Sequence, residues 1–170
     1  TFEAYVRDVV ASVASHGVRK AVVVNGHGGN DEALRRAARD LRREEVAFAA
    51  PWNWWGGLDD VIEAEFDTAL GHADAVESSV VLAVAADLVR EAALAEAEAG
   101  ASDSWGQTVH GANVGFDTAD FSDSGAVGTP TDASREAGEK LLDRASEELA
   151  ALVDWLTERE QSALWPAEHR

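Results

Sequence analysis

The sequence predicts an α/β fold, a mainly parallel sheet flanked by helices. Three observations carry that prediction: a short Val-rich run at residues 21–24, helical periodicity on both sides of it, and a second short apolar run at residues 46–50. Helix, strand, helix, strand is the order of right-handed crossover units. With 170 residues, 46% of them hydrophobic, the chain can bury one good-sized core, and its length favours a single domain over residues 1–170.

Residues 2–16 repeat apolar side chains at helical spacing, Tyr5 and Val6, Val9 and Val10, then Val13, and Gly17 follows where a helix stops. Residues 21–24 are too few for a helix and read as a buried strand. Asn30 or Asp31 is placed to cap a second helix. Its positions Ala33, Leu34, Ala37, Ala38 and Leu41 keep the 3.6 period, while Arg35, Arg36, Arg39, Arg42 and Arg43 fall on the wet face. Residues 46–50 form the next strand, closed by Pro51. The stretch "PWNWWGGLDD" sets Trp52, Trp54 and Trp55 beside two glycines and reads as a loop.

Residues 73–98, rich in Ala, Val and Leu, read as one helix that ends at Gly100, and the Ala/Glu run inside it is helix-favouring composition with no further message. Residues 102–131 are polar and Gly-rich without a sustained period, which fits a functional loop region or short strands that the pattern does not place. Thr131 or Asp132 then caps a long amphipathic helix through Leu141, Leu142, Leu149, Leu152, Val153 and Leu156. No internal repeat is present.

A formal net charge of -18, from 32 acidic and 14 basic residues, argues against a nucleic-acid backbone as partner, because such a surface repels phosphate. The basic residues are almost all Arg, with only Lys20 and Lys140 as lysines. This composition resembles that of proteins from extreme halophiles, so stability is expected to fall in dilute buffer through self-repulsion. There is no Cys, which excludes disulfides and thiolate chemistry. No apolar run is long enough to span a bilayer and no secretory leader opens the chain, so the expectation is a cytoplasmic protein with no membrane partner. Met is also absent, so Thr1 is not an unprocessed translation start, and the chain reads as a processed product or the later part of a longer one.

The chemistry concentrates in two places. "NGHGGN", residues 25–30, lies between a strand and a helix, where parallel α/β sheets bind ligands. Its glycines allow positive φ and close approach, and His27 can offer a ring nitrogen to a metal. The plainer reading is a tight turn whose histidine packs or caps. The motif lacks the Lys of a P-loop and the spacing of a dinucleotide fingerprint. "GHADAVESS", residues 71–79, places His72 and Glu77 at a helix start; five residues apart, they share a site only if His72 precedes the regular helix. Glu77 and Asp74 also simply favour a helix N-terminus. His110, in "TVHGAN", is a weaker candidate, and His16 and His169 read as surface residues.

Three segments together resemble the late motifs of the creatininase (creatinine amidohydrolase) family: "NGHGGN", "HADAVESS" and "GAVGTPTDASREAGEKLL", in the same order and at suitable separations. The resemblance implies a three-layer α/β sandwich, a divalent metal centre of Zn, Mn or Fe, hydrolysis of an amide in a small molecule, and a homohexamer. It implies His27 and Glu77 as metal ligands and His72 as the proton-transfer histidine. Asn25, Gly28 and Asn30 would shape the substrate site, and Trp54 and Trp55, with Trp52, would form an aromatic wall or a subunit contact.

Two departures stand out. Thr129 occupies a position where relatives often carry an acidic residue, and the family's earlier segment, with a Glu-x-His pair and a following Asp, does not precede Phe2. The expected metal site is therefore incomplete, and loss of an early strand is expected to leave a sheet edge or apolar face uncovered. The resemblance permits creatinine, a formamido-pyrimidine nucleotide or a mycofactocin-type peptide precursor as substrate. The competing classes are a non-catalytic α/β assembly module and a ligand-binding protein that takes an anion at a helix N-terminus.

Overall fold

The computed structural model describes residues 1–67 and 70–167, so His169 lies outside the described residues. In chain order the elements are α1 (Phe2–Ala14), β1 (Lys20–Asn25), α2 (Asp31–Arg43), β2 (Phe48–Asn53), α3 (Asp59–Glu65), α4 (Ala75–Ala85), α5 (Leu94–Ala99), β3 (Thr108–Val109), β4 (Ala112–Asn113), α6 (Arg135–Thr157) and α7 (Gln161–Leu164). They form two compact units, Thr1–Gly56 with Glu147–Arg170, and Gly57–Ser146. Among the described residues, no helix is long and apolar enough to cross a membrane.

In the first unit, β1 and β2 pair in parallel from Lys20 opposite Phe48 to Asn25 opposite Asn53. A parallel pair needs a crossover, and α2 supplies it. Val10 and Ala14 of α1, Leu41 of α2, and Ala47 and Ala49 form the buried core, with Val6, Ala21, Val23 and Ala38 packed against it. The expected helices and the first strand stand where the apolar pattern puts them, but the strand is not the buried one expected: Ala21, Val22 and Val23 are half-buried and Val24 is 58% exposed. The second strand runs further than expected: Pro51 and Trp52 are inside it, paired with Val23 and Val24. Among the described residues β2 pairs only with β1, and a strand with one open side tolerates a residue that lacks an N–H.

The α2 arginines lie on the wet face as expected, Arg42 half-buried, and two of them reach other elements from there. Arg36 Nε donates to Glu3 at 2.8 Å. From α1, Arg7 reaches Asp40 at 3.1 Å and Glu44 at 2.8 Å, so the two helices are tied by charge as well as by core. Arg42 donates to the carbonyls of Leu164 and Trp165 at 2.7 and 3.0 Å. Lys20 does the same for the end of α6, reaching the carbonyls of Leu156 at 3.0 Å and Arg159. A cation over unpaired C-terminal carbonyls satisfies them and complements the helix dipole. On the outer side of α1 and β1, Tyr5, Val9, Val13, Val22 and Val24 line an apolar groove of about 410 Å³.

In the second unit the buried residues include Leu58, Ile62, Phe66, Val76, Leu82 and Leu141. The single helix expected over residues 73–98 is broken. Regular α4 stops at Ala85, whose φ of -157° and ψ of 61° are not helical, and two short 3₁₀ turns precede α5. Helix propensity is a weak prior that packing overrides. Here α5 lies against the turn Pro130–Asp132, where the Glu98 carboxylate accepts the N–H and hydroxyl of Thr131. The polar stretch does hold short strands: β3 and β4 form a hairpin turned by His110 and Gly111, both in the left-handed region at φ 48° and 84°. The long helix begins later than expected, and its cap is neither Thr131 nor Asp132. Ser134 accepts from the N–H of Ala137 at 3.1 Å, while its own N–H donates to the buried Ser79 hydroxyl at 2.9 Å.

The two Thr131 bonds hold the Glu98 carboxyl below the ordinary glutamate range, the hydroxyl contributing most. A depressed folded value stabilises the protein above the unfolded value and loses that contribution as pH falls through the folded one. In pH-resolved thermal unfolding, wild type is expected to exceed Glu98→Gln near neutrality, and the gap should close in acid. A gap independent of pH would remove the charged Glu98–Thr131 contact as its cause.

Candidate active site

Asn25 is the last residue of β1 and is 3% exposed. A buried amide needs partners on every side, and this one has them. Its Nδ2 lies 2.8 Å from the His27 carbonyl, 3.0 Å from Asp31 Oδ1 and 2.8 Å from Asn53 Oδ1. Its Oδ1 accepts from Asn30 Nδ2 at 3.0 Å and from the N–H of His27 at 3.3 Å. Asn53, at the end of β2, donates to Asp31 Oδ2 at 3.1 Å, and the N–H of Trp54 donates to the Asn25 carbonyl. The whole turn is therefore fastened to the ends of both strands. Asn30 occupies the cap position of α2, but its side chain serves Asn25 and not the helix, and Asp31 is spent on the two asparagines.

The glycines of the turn act differently from the expectation. None of Gly26, Gly28 and Gly29 has positive φ. Gly26 and Gly28 face open space, whereas a Cβ on Gly29 would stand 2.5 Å from His27 Nε2. Gly29 thus makes room for the imidazole, which lies across it in an exposed position at the sheet's C-terminal end. Trp54 and Trp55 follow directly, packed edge to face with ring centres 5.9 Å apart, while Trp52 belongs to β2.

In the second unit His72 does precede the regular helix. It pairs with Val127 through two backbone hydrogen bonds of 2.9 and 2.8 Å, in an extended bridge. Gly71 before it admits no side chain, because a Cβ would meet the Val127 carbonyl oxygen at 1.8 Å. Asp74, fully buried, caps α4 by accepting from the N–H of Glu77 at 3.0 Å and from that of Gly71 at 2.7 Å. Glu77 reaches back to the N–H of Ala73 at 2.5 Å, a reciprocal arrangement like a capping box. That return brings its Oε2 to 3.5 Å from His72 Nδ1, an ion-pair distance. The helix-start reading of Asp74 and Glu77 and the pairing of Glu77 with His72 are thus both features of one geometry.

Other candidates take lesser places. His110 is an exposed turn residue, and His16 is exposed after α1. Thr129 Oγ1 is buried with no hydrogen-bond partner among the described residues. Three participants escaped the sequence reading: Asp31 and Asn53 in the turn network, and Trp105, whose ring centre lies 6.2 Å from that of His72. Asp31 carried a signal, since it directly follows the motif. Trp105 carried none, because nothing local connects it to His72. Imidazole and carboxylate are the donor types of Zn and Mn sites. Among the described residues, however, no group of three or more His, Cys, Asp or Glu could hold a metal ion, so the donors fit in kind and fall short in number.

The sequence profile of the creatininase family, described as creatinine amidohydrolase, matches residues 1–153. Among solved structures, the chain is similar to a creatinine amidohydrolase (creatininase), with 26% identity over 93% of this chain and 64% of the other and a TM-score of 0.71. It is similar to a Mn creatininase at 25% identity, covering 89% of this chain and 62% of the other, with a TM-score of 0.68. A mutant creatininase of the Zn-Zn type gives 27% identity, 89% and 61% coverage, and a TM-score of 0.68. The chain thus spans slightly less than two thirds of the length of these creatininases. No curated protein matches it.

Three substitutions test the turn. Asn25→Ala strands the partners of a buried amide and is expected to cost about 2 kcal/mol in denaturant unfolding. Asn25→Asp, which sets a carboxylate against Asp31, should cost more at neutral pH than in acid. Gly29→Ala should change stability little while displacing the His27 ring, read from its NMR shifts. An unmoved ring would show that Gly29 does not seat it.

Proposed function

The chain belongs to the creatininase (creatinine amidohydrolase) family, and on that premise we propose that it serves a metal-dependent amidohydrolase acting on a non-peptide amide of a small molecule. The observation that carries the reading is the approach of Glu77 to His72 Nδ1 beside a helix start. A carboxylate at Nδ1 orients the ring and leaves Nε2 to exchange a proton with a reacting nitrogen. His72 is assigned that proton transfer. His27 and Glu77 are assigned as metal ligands, with Asn25, Gly28, Asn30, Trp54 and Trp55 shaping and lining the substrate site.

The matched creatininases include Mn and Zn-Zn forms. A divalent metal, when bound, supplies Lewis acidity and an ionised water at neutral pH. His27 in the first unit and Glu77 in the second each offer one donor, fewer than such a metal takes, and this chain's own residues present those donors, orient His72 and fix the turn through Asn25. Of the two substrate classes, we favour a creatinine-like cyclic amide over a formamido-pyrimidine nucleotide, whose phosphate the acidic chain repels, handled by a cytoplasmic homo-oligomer. The acidic, Lys-poor composition supports a high-salt working environment.

Elemental mass spectrometry of the chain purified in concentrated salt tests this reading. With an incomplete ligand set, divalent metal is expected to co-purify at well under one ion per chain, lost in His27→Ala and in Glu77→Gln but kept in His72→Ala. Creatinine hydrolysis should fall with all three. A metal-free wild type that hydrolyses neither substrate would point instead to a non-catalytic module.

A further inference from the structure

We propose that Trp105 is a substrate-contacting, specificity-determining residue of the His72 site, whose indole face receives a flat, neutral or cationic amide-bearing group. The inference rests on the amidohydrolase reading above and adds a residue outside all three family-like motifs.

The two rings stand 6.2 Å apart with their planes inclined by 46°. That separation lies in the range of interacting aromatic pairs, but the inclination is neither stacked nor perpendicular. Both rings also retain open surface, 55% for Trp105 and 43% for the His72 side chain. A small planar molecule approaching the His72 imidazole therefore comes within reach of the indole.

The backbone holding Trp105 is fixed on both sides. Before it, the N–H of Ser102 donates to the Ala126 carbonyl at 3.0 Å, and its carbonyl accepts from Gly128 at 2.9 Å. Residues 126–128 thus run between Ser102 and His72, and one segment sets the distance between the two rings. The Ser102 hydroxyl also bonds both the carbonyl and the N–H of Ser104, at 2.8 and 3.2 Å. After Trp105, Gly106 is packed so that a Cβ would stand 3.1 Å from the Phe121 ring. An indole on a fixed backbone has two side-chain torsions to lose on binding, which makes it an economical contact surface.

Charge selects the ligand class. The nearest ionisable partner of His72 is the Glu77 carboxylate, and the chain's formal charge is -18. This setting opposes a phosphorylated substrate and favours a neutral or cationic one, which the indole face also attracts.

The test uses the chain labelled with 5-fluorotryptophan in concentrated salt, with creatinine as the probe and Trp105→Phe to assign the Trp105 fluorine signal. Creatinine should shift the Trp105 signal and the His72 ring signals along one saturation curve. Trp105→Leu should weaken binding roughly tenfold, as expected for losing one aromatic contact, and Trp105→Phe should restore most of it. Inorganic phosphate should not compete. A shift at His72 with none at Trp105, and unchanged binding in Trp105→Leu, overturns the inference while leaving the functional reading intact. Absence of any shift at either residue overturns both.

Discussion

The first unit is organised around one buried side-chain amide. Asn25 has given up water at the end of β1, and a desolvated amide is tolerable only with its donors and acceptor engaged. Its partners come from the turn that follows it, from the first residue of α2 and from the last residue of β2. That set of bonds fixes where β1 ends, how α2 begins and where the exposed His27 ring is presented. It also explains why the expected helix cap is missing. Asn30 and Asp31 sit at the helix start, but the buried amide makes a stronger claim on them than the exposed first turn of α2 does.

The second unit reaches a comparable result by other means. A segment of extended backbone at Val127 holds His72 just ahead of α4, and the buried Asp74 caps that helix. Glu77 folds back over the cap, and this return brings its carboxylate to the imidazole. In both units the groups suited to chemistry are partly or fully exposed, while Asn25, Asp74 and Val127, which anchor their surroundings, are buried and satisfied. This is the division expected where function sits on loops braced by a rigid scaffold. Charge is distributed along similar lines: in a strongly acidic chain, Arg7, Arg36, Arg42 and Lys20 are committed to tying helices together or covering helix ends.

How much of this was legible depended on distance along the chain. The helices at residues 2–14 and 31–43 follow from periodicity, because each is set by which side chains share one face, and the strand at 20–25 follows from its short Val-rich run. The fold class was legible for the same reason, whereas the two histidine motifs stood out by their place beside strand and helix ends and by the family resemblance. Pro51 misled, because a proline was read as a strand end where an open edge tolerates it. The glycines of the turn misled as well, since what Gly29 provides is space for His27 and not an unusual φ.

By itself, then, the sequence determined the local elements, the α/β class and the residue types able to do chemistry, because periodicity and donor chemistry are properties of neighbouring residues. Only the tertiary structure decided which partners satisfy Asn25, why the Ala-rich stretch breaks at Ala85, that Ser134 caps α6, and that Trp105 faces His72. Each of these depends on segments distant in sequence meeting in space, where burial and the need to pair polar groups outweigh local propensity.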